Sequence, residues 1–264
     1  MTILYLHVAS YAFRRYSTYR VATLSAMVTN TVFGFLKASI LIALWAYRPS
    51  LGGYDATDAV TFSFVGQALI GPVQVFGGSL ELTARIRSGD VAIDLHRPVD
   101  LQGWWLADDL GRAAYTLVFR GAPTLLIAAL IFPLRLPGPP AWAAFLGSVL
   151  LAVLVSFGMR YLVSLCVFWL HDERGIHAVA LITTMFLSGM ILPLVVFPGW
   201  LGTLARALPW AAMIQTPGDV FLGKSTGGGL LAAYGFQAAW AAALLSAGRL
   251  LTRATRRRLV SHGG

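Results

Sequence analysis

The chain alternates long apolar segments with short polar breaks. A helix needs about 20 mainly apolar residues to cross a hydrocarbon core of about 30 Å. Segments of this length lie at 21–45, 57–80, 111–133, 142–169, 176–197 and 229–250. We therefore predict an all-α membrane protein with six transmembrane helices and no segment long enough for a soluble catalytic domain. The composition, 57% hydrophobic and 12% charged, agrees with this prediction.

The N-terminus differs from these apolar segments. Residues 1–20 place apolar side chains beside Arg14, Arg15 and Arg20, which is typical of an amphipathic helix at the membrane surface. The basic residues follow the apolar ones, the reverse of a secretory signal peptide. We therefore predict an interfacial helix at 1–20, followed by one membrane domain at 21–264.

The basic residues indicate the orientation, because Lys and Arg collect in cytoplasmic loops. One side contains Arg14, Arg15, Arg20, Arg85, Arg87, Arg97, Arg112, Arg174, Arg249, Arg253, Arg256, Arg257 and Arg258. The other side contains Arg48, Arg135, Arg206 and Lys224. We therefore expect both termini in the cytoplasm, with a basic cytoplasmic tail at 249–264. The net charge of +9 then reflects membrane orientation and not nucleic-acid binding.

Two segments between the predicted spans are not simple loops. Residues 81–110 are charged and helix-compatible, and we predict a cytoplasmic insertion there. Residues 198–228 are apolar but interrupted by Pro198, Pro209 and Pro217. Because such short helical pieces do not cross a bilayer, we predict an outer re-entrant or interfacial helical segment whose broken backbone is buried in protein.

Residues 218–225, GDVFLGKS, match the phosphate-loop pattern G-x-x-x-x-G-K-[ST] letter for letter. That loop binds phosphate when it joins a buried strand to a helix N-terminus. Here Pro217 precedes the match, and the predicted orientation puts it outside, away from cytoplasmic ATP. We interpret the match as a coincidence.

Other catalytic sites find no support in the sequence. An intramembrane serine protease needs a serine and a histidine that share a proton, yet Ser188 lacks the first glycine of a G-x-S-G motif. His171, Asp172, Glu173 and His177 are possible metal ligands on a short turn. A metal site needs three or four groups that converge on one ion, and nothing else nearby supplies them. We interpret these four residues as a solvated turn and predict no catalytic and no metal-binding residue.

Three ionisable residues lie within the predicted spans, where charge is costly and often functional. We expect Lys37 and Arg160 to snorkel towards headgroups or a cavity. Arg120 lies about 13 Å inside the third span at 1.5 Å per residue. It either pairs with a carboxylate, the favoured interpretation, or faces an inward cavity. All three are candidate pathway residues.

The 81–110 insertion is a candidate docking surface. Its charges alternate in sign, and Leu95, Trp104 and Trp105 are suited to anchor a protein partner. An interfacial helix stacked on lipid headgroups is the competing interpretation of the tryptophans. Gly89 and Pro98 bracket a short helix whose N-terminus carries an acidic residue, a favourable position in the helix dipole.

The order of these features resembles the ABC-2-type permeases of bacteria. The resemblance covers nearly the whole chain. It includes the surface helix, the six spans, the Pro-containing segment before the last span and the basic tail. Its most specific motif follows the second span and reads Arg87-Ser88-Gly89-Asp90-x-x-x-Asp94-x-x-Arg97-Pro98.

The resemblance implies the membrane subunit of an ATP-driven transporter. Arg87, Gly89, Asp90, Asp94, Arg97 and Pro98 would form the docking site for an ABC ATPase subunit dimer. A second permease subunit, identical or related, would complete the pathway in the bacterial cytoplasmic membrane. The chain itself would be no enzyme and would bind no cofactor, since ATP and magnesium belong to the ATPase.

Export of a hydrophobic or amphipathic compound (a drug, natural product, lipid or peptide) by alternating access is the function that the resemblance implies. The alternative is a membrane-embedded, lipid-acting enzyme or assembly factor without ATP coupling. A passive channel is disfavoured because no predicted span has a polar face along its whole length.

Overall fold

All regular secondary structure in the described residues is helical. The computed structural model describes residues 2–49, 51–76, 80–170 and 174–262, with side chains described as far as residue 255. The elements in chain order are α1 (Thr2–Ser17), α2 (Arg20–Tyr47), α3 (Ala56–Val73), α4 (Glu81–Ser88), α5 (Val91–His96), α6 (Leu101–Thr116), α7 (Ala122–Ile131), α8 (Pro139–Cys166), α9 (Arg174–Leu187), α10 (Gly199–Ala207), α11 (Gln215–Phe221) and α12 (Gly228–His262).

The centre of the molecule is α3. It begins with a capping box, in which the Asp55 side chain accepts a hydrogen bond from the backbone N–H of Asp58 at 2.7 Å and Asp58 accepts one from Asp55 in return. Every side chain from Asp58 to Val73 is buried. The apolar core forms around this helix from α2, α7, α8 and α11. Because protein surrounds it on all sides, α3 carries Thr61, Ser63 and Gln67 as well as apolar residues.

Four helical segments of the described chain are long and apolar enough to cross a membrane. They are Arg20–Tyr47, Leu101–Ile131, Pro139–Cys166 and Gly228–Thr255. The predicted second span, 57–80, contains an 18-residue helix that ends at Val73, and the fifth, 176–197, contains a 14-residue helix that ends at Leu187. At 1.5 Å per residue, 14 residues reach only about 21 Å. The predicted count of six spanning helices is therefore not confirmed by helix length.

The third spanning segment begins earlier than the sequence pattern predicts. Residues 101–110, predicted as part of the insertion, belong to α6, whose N-cap Asp100 accepts a hydrogen bond from the Gly103 N–H at 2.7 Å. A π-helical turn at 117–121 joins α6 to α7. Pro123 has no N–H to donate to a carbonyl of the preceding turn. A missing helical hydrogen bond of this kind is a common reason for a π-helical turn.

The segment at 198–228 contains short helices, as predicted. α10 and α11 are separated by a 3₁₀ turn at Pro209–Ala212. The first of the two helices is largely exposed, whereas α11 is largely buried against α8 and α3. The prolines mark the breaks, because each lacks the N–H that would continue a helix.

Candidate docking helices and buried charge cluster

The motif at 87–98 folds as two short helices joined by a tight turn. α4 ends at Gly89, which has φ +84°, a conformation that glycine adopts without the steric cost of a Cβ. Asp90 then precedes α5, and the Ser88 hydroxyl donates a hydrogen bond to its carboxylate at 2.8 Å. Arg97 leaves α5 in an extended conformation, as expected before Pro98. We name this pair, residues 81–98, the docking helices.

An internal ion pair holds the docking helices together. Arg85 on α4 donates hydrogen bonds to both carboxylate oxygens of Asp94 on α5, one of them at 2.9 Å. Arg97 lies 3.6 Å from the same carboxylate. The hydrogen bond to Asp94 raises the pKa of Arg85. Asp94 therefore links α4 to α5 and is mostly buried, unlike the other predicted docking residues.

The outward face of the docking helices combines charge with one apolar side chain. Arg87, Gly89, Asp90, Arg97 and Pro98 are exposed there. Among them lies Ile93, which is 58% exposed. Sequence reasoning missed Ile93, because the six residues of α5 are too few for periodicity to show which of its side chains are exposed.

The inward face is fixed to the rest of the chain. Leu82 and Val91 are buried in a cluster with Trp105 of α6 and Leu165 of α8. The Thr83 hydroxyl of α4 donates a hydrogen bond to the Ser164 hydroxyl of α8 at 2.9 Å.

The predicted anchor residues belong to this inward face and correct the expectation of an external contact. Trp105 is buried, and Leu95 and Trp104 pack partly buried against the same cluster. Apolar burial stabilises the chain's own fold, so Trp105 is not available to a partner protein or to lipid headgroups, whereas Leu95 and Trp104 keep part of their surface accessible.

A buried charge cluster lies behind the docking helices. Asp109 of α6 accepts hydrogen bonds from Arg112 at 2.8 Å and from Arg160 of α8 at 2.6 and 3.1 Å. Arg112 also donates to the carbonyls of Gly71 and Pro72, at 2.6 and 2.8 Å. Those carbonyls belong to the last turn of α3, where backbone acceptors lack partners within the helix.

This cluster bears on two expectations. Arg160 was expected to snorkel towards headgroups or a cavity, and it pairs with Asp109 and also lines a cavity. Arg112 was counted among the loop charges that set the orientation, but its side chain is only 4% exposed. The orientation argument rests on the other basic residues.

The other two predicted pathway residues lie elsewhere. Lys37 of α2 is half-buried, and its ammonium donates to the Met190 carbonyl, in the irregular chain after α9. Its charge is therefore held by a backbone carbonyl of the same chain. Arg120 lies in the π-helical turn; its Nε has no hydrogen-bond partner, and it forms no ion pair with any described residue. The favoured carboxylate partner of Arg120 is thus absent from the described part of the chain.

Behind Arg160 lies a cavity of about 280 Å³. It is lined by α8, α9, α12 and the turn at 209–213, and most of its lining is apolar. The polar side chains of the lining include those of Gln74, Ser156, Arg160, His177 and Thr184, and Trp210 and Met213 lie in the turn. The remaining members of the predicted solvated turn, residues 171–173, lie outside the described residues.

A second polar network lies at the far end of α3 from the docking helices. Lys224 Nζ is 2.6 Å from Asp58 Oδ2 and donates to the Gly53 carbonyl at 3.1 Å. Tyr54 donates to Asp219 of α11, and burial raises the pKa of Tyr54. Residues 218–225, which match the phosphate-loop pattern, thus form the end of α11 and the turn after it. Lys224 pairs with Asp58 of this chain, in agreement with the interpretation of the match as a coincidence.

Comparison with known proteins identifies the family. The family described as ABC-2 family transporter protein matches residues 28–263, from within α2 to the residue before the last. No curated protein sequence matches significantly. Among the described residues, no group of three or more His, Cys, Asp or Glu is placed to bind a metal ion. With several helices long and apolar enough to span a membrane and a family match over most of its length, the chain belongs to the ABC-2 family of transporter proteins and is a multi-pass membrane permease subunit of an ABC transporter.

Proposed function

We propose that this permease exports a hydrophobic or amphipathic compound, driven by a separate ATPase that binds the outward face of the docking helices. The family implies an ABC ATPase partner; the contact surface, the direction of transport and the mechanism are our proposal. The observation that carries it is the construction of the docking helices, which expose Arg87, Asp90, Ile93 and Arg97 on one side and are fixed to α6 and α8 on the other.

This construction supports a mechanical role. The Arg85–Asp94 ion pair makes α4 and α5 a single unit, and the Thr83–Ser164 hydrogen bond joins that unit to α8. Movement of the ATPase against the outward face would therefore shift α8 and α6 relative to α3. Interfaces built from packed helices change between discrete arrangements and not continuously, which suits alternating access.

The network of Asp58, Lys224, Tyr54 and Asp219 would act as the external gate. It joins the loop before α3 to α11 and the turn after it, at the end of α3 opposite the docking helices. We propose that this network opens when the docking helices move, so that the outer segment at 198–228 releases the substrate outwards.

The remaining parts of the proposal concern the assembly. Both termini lie in the cytoplasm, in agreement with the loop charges. The membrane is the bacterial cytoplasmic membrane. An ATPase dimer binds ATP and magnesium, and this chain binds no cofactor of its own. A second permease subunit, identical or related, completes the pathway.

Replacement of Ile93 with glutamate is expected to prevent docking. The substitution places a charge where an apolar side chain would be buried by the ATPase, and an uncompensated charge in an interface is strongly unfavourable. We expect ATPase recovery with the tagged permease, purified in mild detergent, to fall about tenfold or more, equivalent to about 1.4 kcal/mol of binding free energy.

Two controls separate docking from folding. Ile93→Leu keeps the apolar surface and should bring down the ATPase as the unmodified chain does. Arg206→Glu changes the charge by more, at an exposed position on α10 in the outer segment at 198–228, and should also retain it. Equal ATPase recovery with Ile93→Glu and the unmodified permease would contradict the proposed contact surface.

A further inference from the structure

The cavity behind Arg160 has an excess of positive charge. The adjoining cluster sets two guanidinium groups, of Arg112 and Arg160, against the single carboxylate of Asp109. Arg112 is further compensated by the carbonyl end of α3. Arg160 reaches the cavity itself, where no aspartate or glutamate occurs among the described lining residues. A buried cation is costly unless an anion compensates it, and here an occupant of the cavity would supply that charge.

Further polar groups at the cavity lack partners. The Nε2 atom of His177 and the Nε1–H of Trp210 are buried without a hydrogen-bond partner. A tryptophan N–H only donates, as does a guanidinium. Gln74, at the end of α3, is the only described non-glycine residue with positive φ, +50°. Such backbone strain persists where the surroundings impose it, often at functional sites.

We infer that the cavity is the substrate site and that it binds a small amphipathic anion, a carboxylate or sulfonate on an apolar body. The acidic group lies at Arg160 and His177, and the apolar body extends along Met159 and Val163 towards Met213. This inference rests on the proposed function, because it names the class of compound that the permease exports.

The size of the cavity favours a small compound over a phospholipid. Ligand pockets for drug-sized molecules have volumes of about 300–1,000 Å³, and this cavity, at about 280 Å³, lies at the lower limit. Two acyl chains and a headgroup do not fit. The occupant is therefore a ring system or a short single chain with one acidic group.

The site also connects the substrate to the docking helices. The guanidinium of Arg160 contacts both the cavity and Asp109, and α8 contacts α4 one helical turn further along at Ser164. An anion at Arg160 would compete with Asp109 for the same donors. Substrate binding would thereby loosen the cluster that joins α6 to α8 and α3.

Three fluorescent probes test this inference with the full-length permease in phosphatidylcholine nanodiscs. Dansylglycine is anionic, dansylamide is neutral and dansylethylenediamine is cationic, and all three share one apolar ring system. Binding is measured from the fluorescence increase after subtraction of empty nanodiscs. We expect dansylglycine to bind about tenfold more tightly than dansylamide, the size of one charge-assisted hydrogen bond. The cationic probe should bind least.

Variants assign the preference to Arg160. Arg160→Gln should reduce dansylglycine affinity to that of dansylamide and leave dansylamide unchanged, whereas Arg160→Lys should retain part of the preference. Arg120→Gln is the matched control, because it removes another arginine of the spanning segments that does not line the cavity. If Arg160→Gln does not fold, the order of the three probes on the unmodified chain still decides the inference.

Several results would overturn the inference. They are equal affinity for the three probes, no binding of any probe, or an anion preference that survives Arg160→Gln. Displacement of dansylglycine by phosphatidylglycerol added to the nanodiscs would overturn the assignment to a small compound. None of these measurements involves the ATPase. A failure of ATPase docking in the Ile93 experiment is therefore distinguishable from a failure of the anion site.

Discussion

Replacement of Asp109 with alanine is expected to be the most destabilising single substitution at the buried charge cluster. The variant leaves Arg112 and Arg160 buried close together without their shared carboxylate. Breaking a buried ion pair by removing one partner costs about 3–5 kcal/mol, because the remaining charge stays desolvated. Two like charges then also repel each other. We expect a large fall in the thermal unfolding midpoint of the permease in nanodiscs, as measured by tryptophan fluorescence.

The neighbouring residue provides the matched control. Asp108 carries the same charge one position earlier on α6, but the side chain of its partner, Arg15, is one-third exposed. Exposed ion pairs contribute about 0–1 kcal/mol, so Asp108→Ala should unfold almost as the unmodified chain does. A fall in the midpoint of equal size for both variants would contradict the distinction between them.

A double variant measures the coupling within the cluster. Asp109→Asn together with Arg160→Gln removes one negative and one positive charge, and leaves Arg112 with its two carbonyl acceptors on α3. Residues in one hydrogen-bonded network are not additive. The double variant should therefore lose less stability than the two single variants combined, and strict additivity would mean that the two side chains act independently.

Replacement of Gly111 with alanine is expected to displace α1 from α6. A Cβ on Gly111 would overlap the backbone carbonyl of Ala9 and lie 2.9 Å from the Ala12 Cβ. Backbone atoms do not move aside as the end of a flexible side chain does, so α1 as a whole has to shift. Overpacking of this kind costs about 1–3 kcal/mol. The expected result is a lower unfolding midpoint and easier proteolysis at the α1–α2 break.

The displacement should also reach the docking helices, because Arg15 of α1 lies 3.3 Å from Glu81 of α4 and 3.1 Å from Asp108 of α6. We therefore expect Gly111→Ala to weaken ATPase recovery as well as stability. Gly235→Ala on α12 is the control, since its added Cβ meets no other atom within 4 Å. Alanine is the better helix former, so that variant should be neutral or slightly more stable. An unchanged midpoint in Gly111→Ala would show that α1 is not held at this contact.

The apolar pattern alone predicted most of the architecture. Predicted spans at 21–45, 111–133, 142–169 and 229–250 correspond to α2, to α6 with α7, to α8 and to α12, because a lipid-facing helix needs a continuous apolar sequence. The prediction was weakest for α3 and α9. α3 is surrounded by protein, and the chain continues after α9 without a regular helix. Neither α3 nor α9 therefore requires the length of a lipid-facing helix.

The docking motif was predictable as a location but not as a surface. The positive φ of Gly89 and the exposed Asp90 and Arg97 agree with the predicted docking position, which remains a proposal. The exposure of Ile93 was not predictable, because α5 has only six residues, too few for periodicity to distinguish its two faces. The burial of Trp105 on α6 arises from its packing with residues of α4, α5 and α8, which the sequence does not show.

The sequence by itself determined that this protein lives in a membrane and where its breaks fall, and it located the short segment that we propose as the docking surface. Those features depend on hydrophobic length and on backbone rules that act within a few residues. Only the tertiary structure decided which charges meet. Asp109, Arg112 and Arg160 come from two helices, and their pairing depends on where α3 ends and leaves its last carbonyls free. The burial that makes these charges costly when unpaired arises only when the helices pack together.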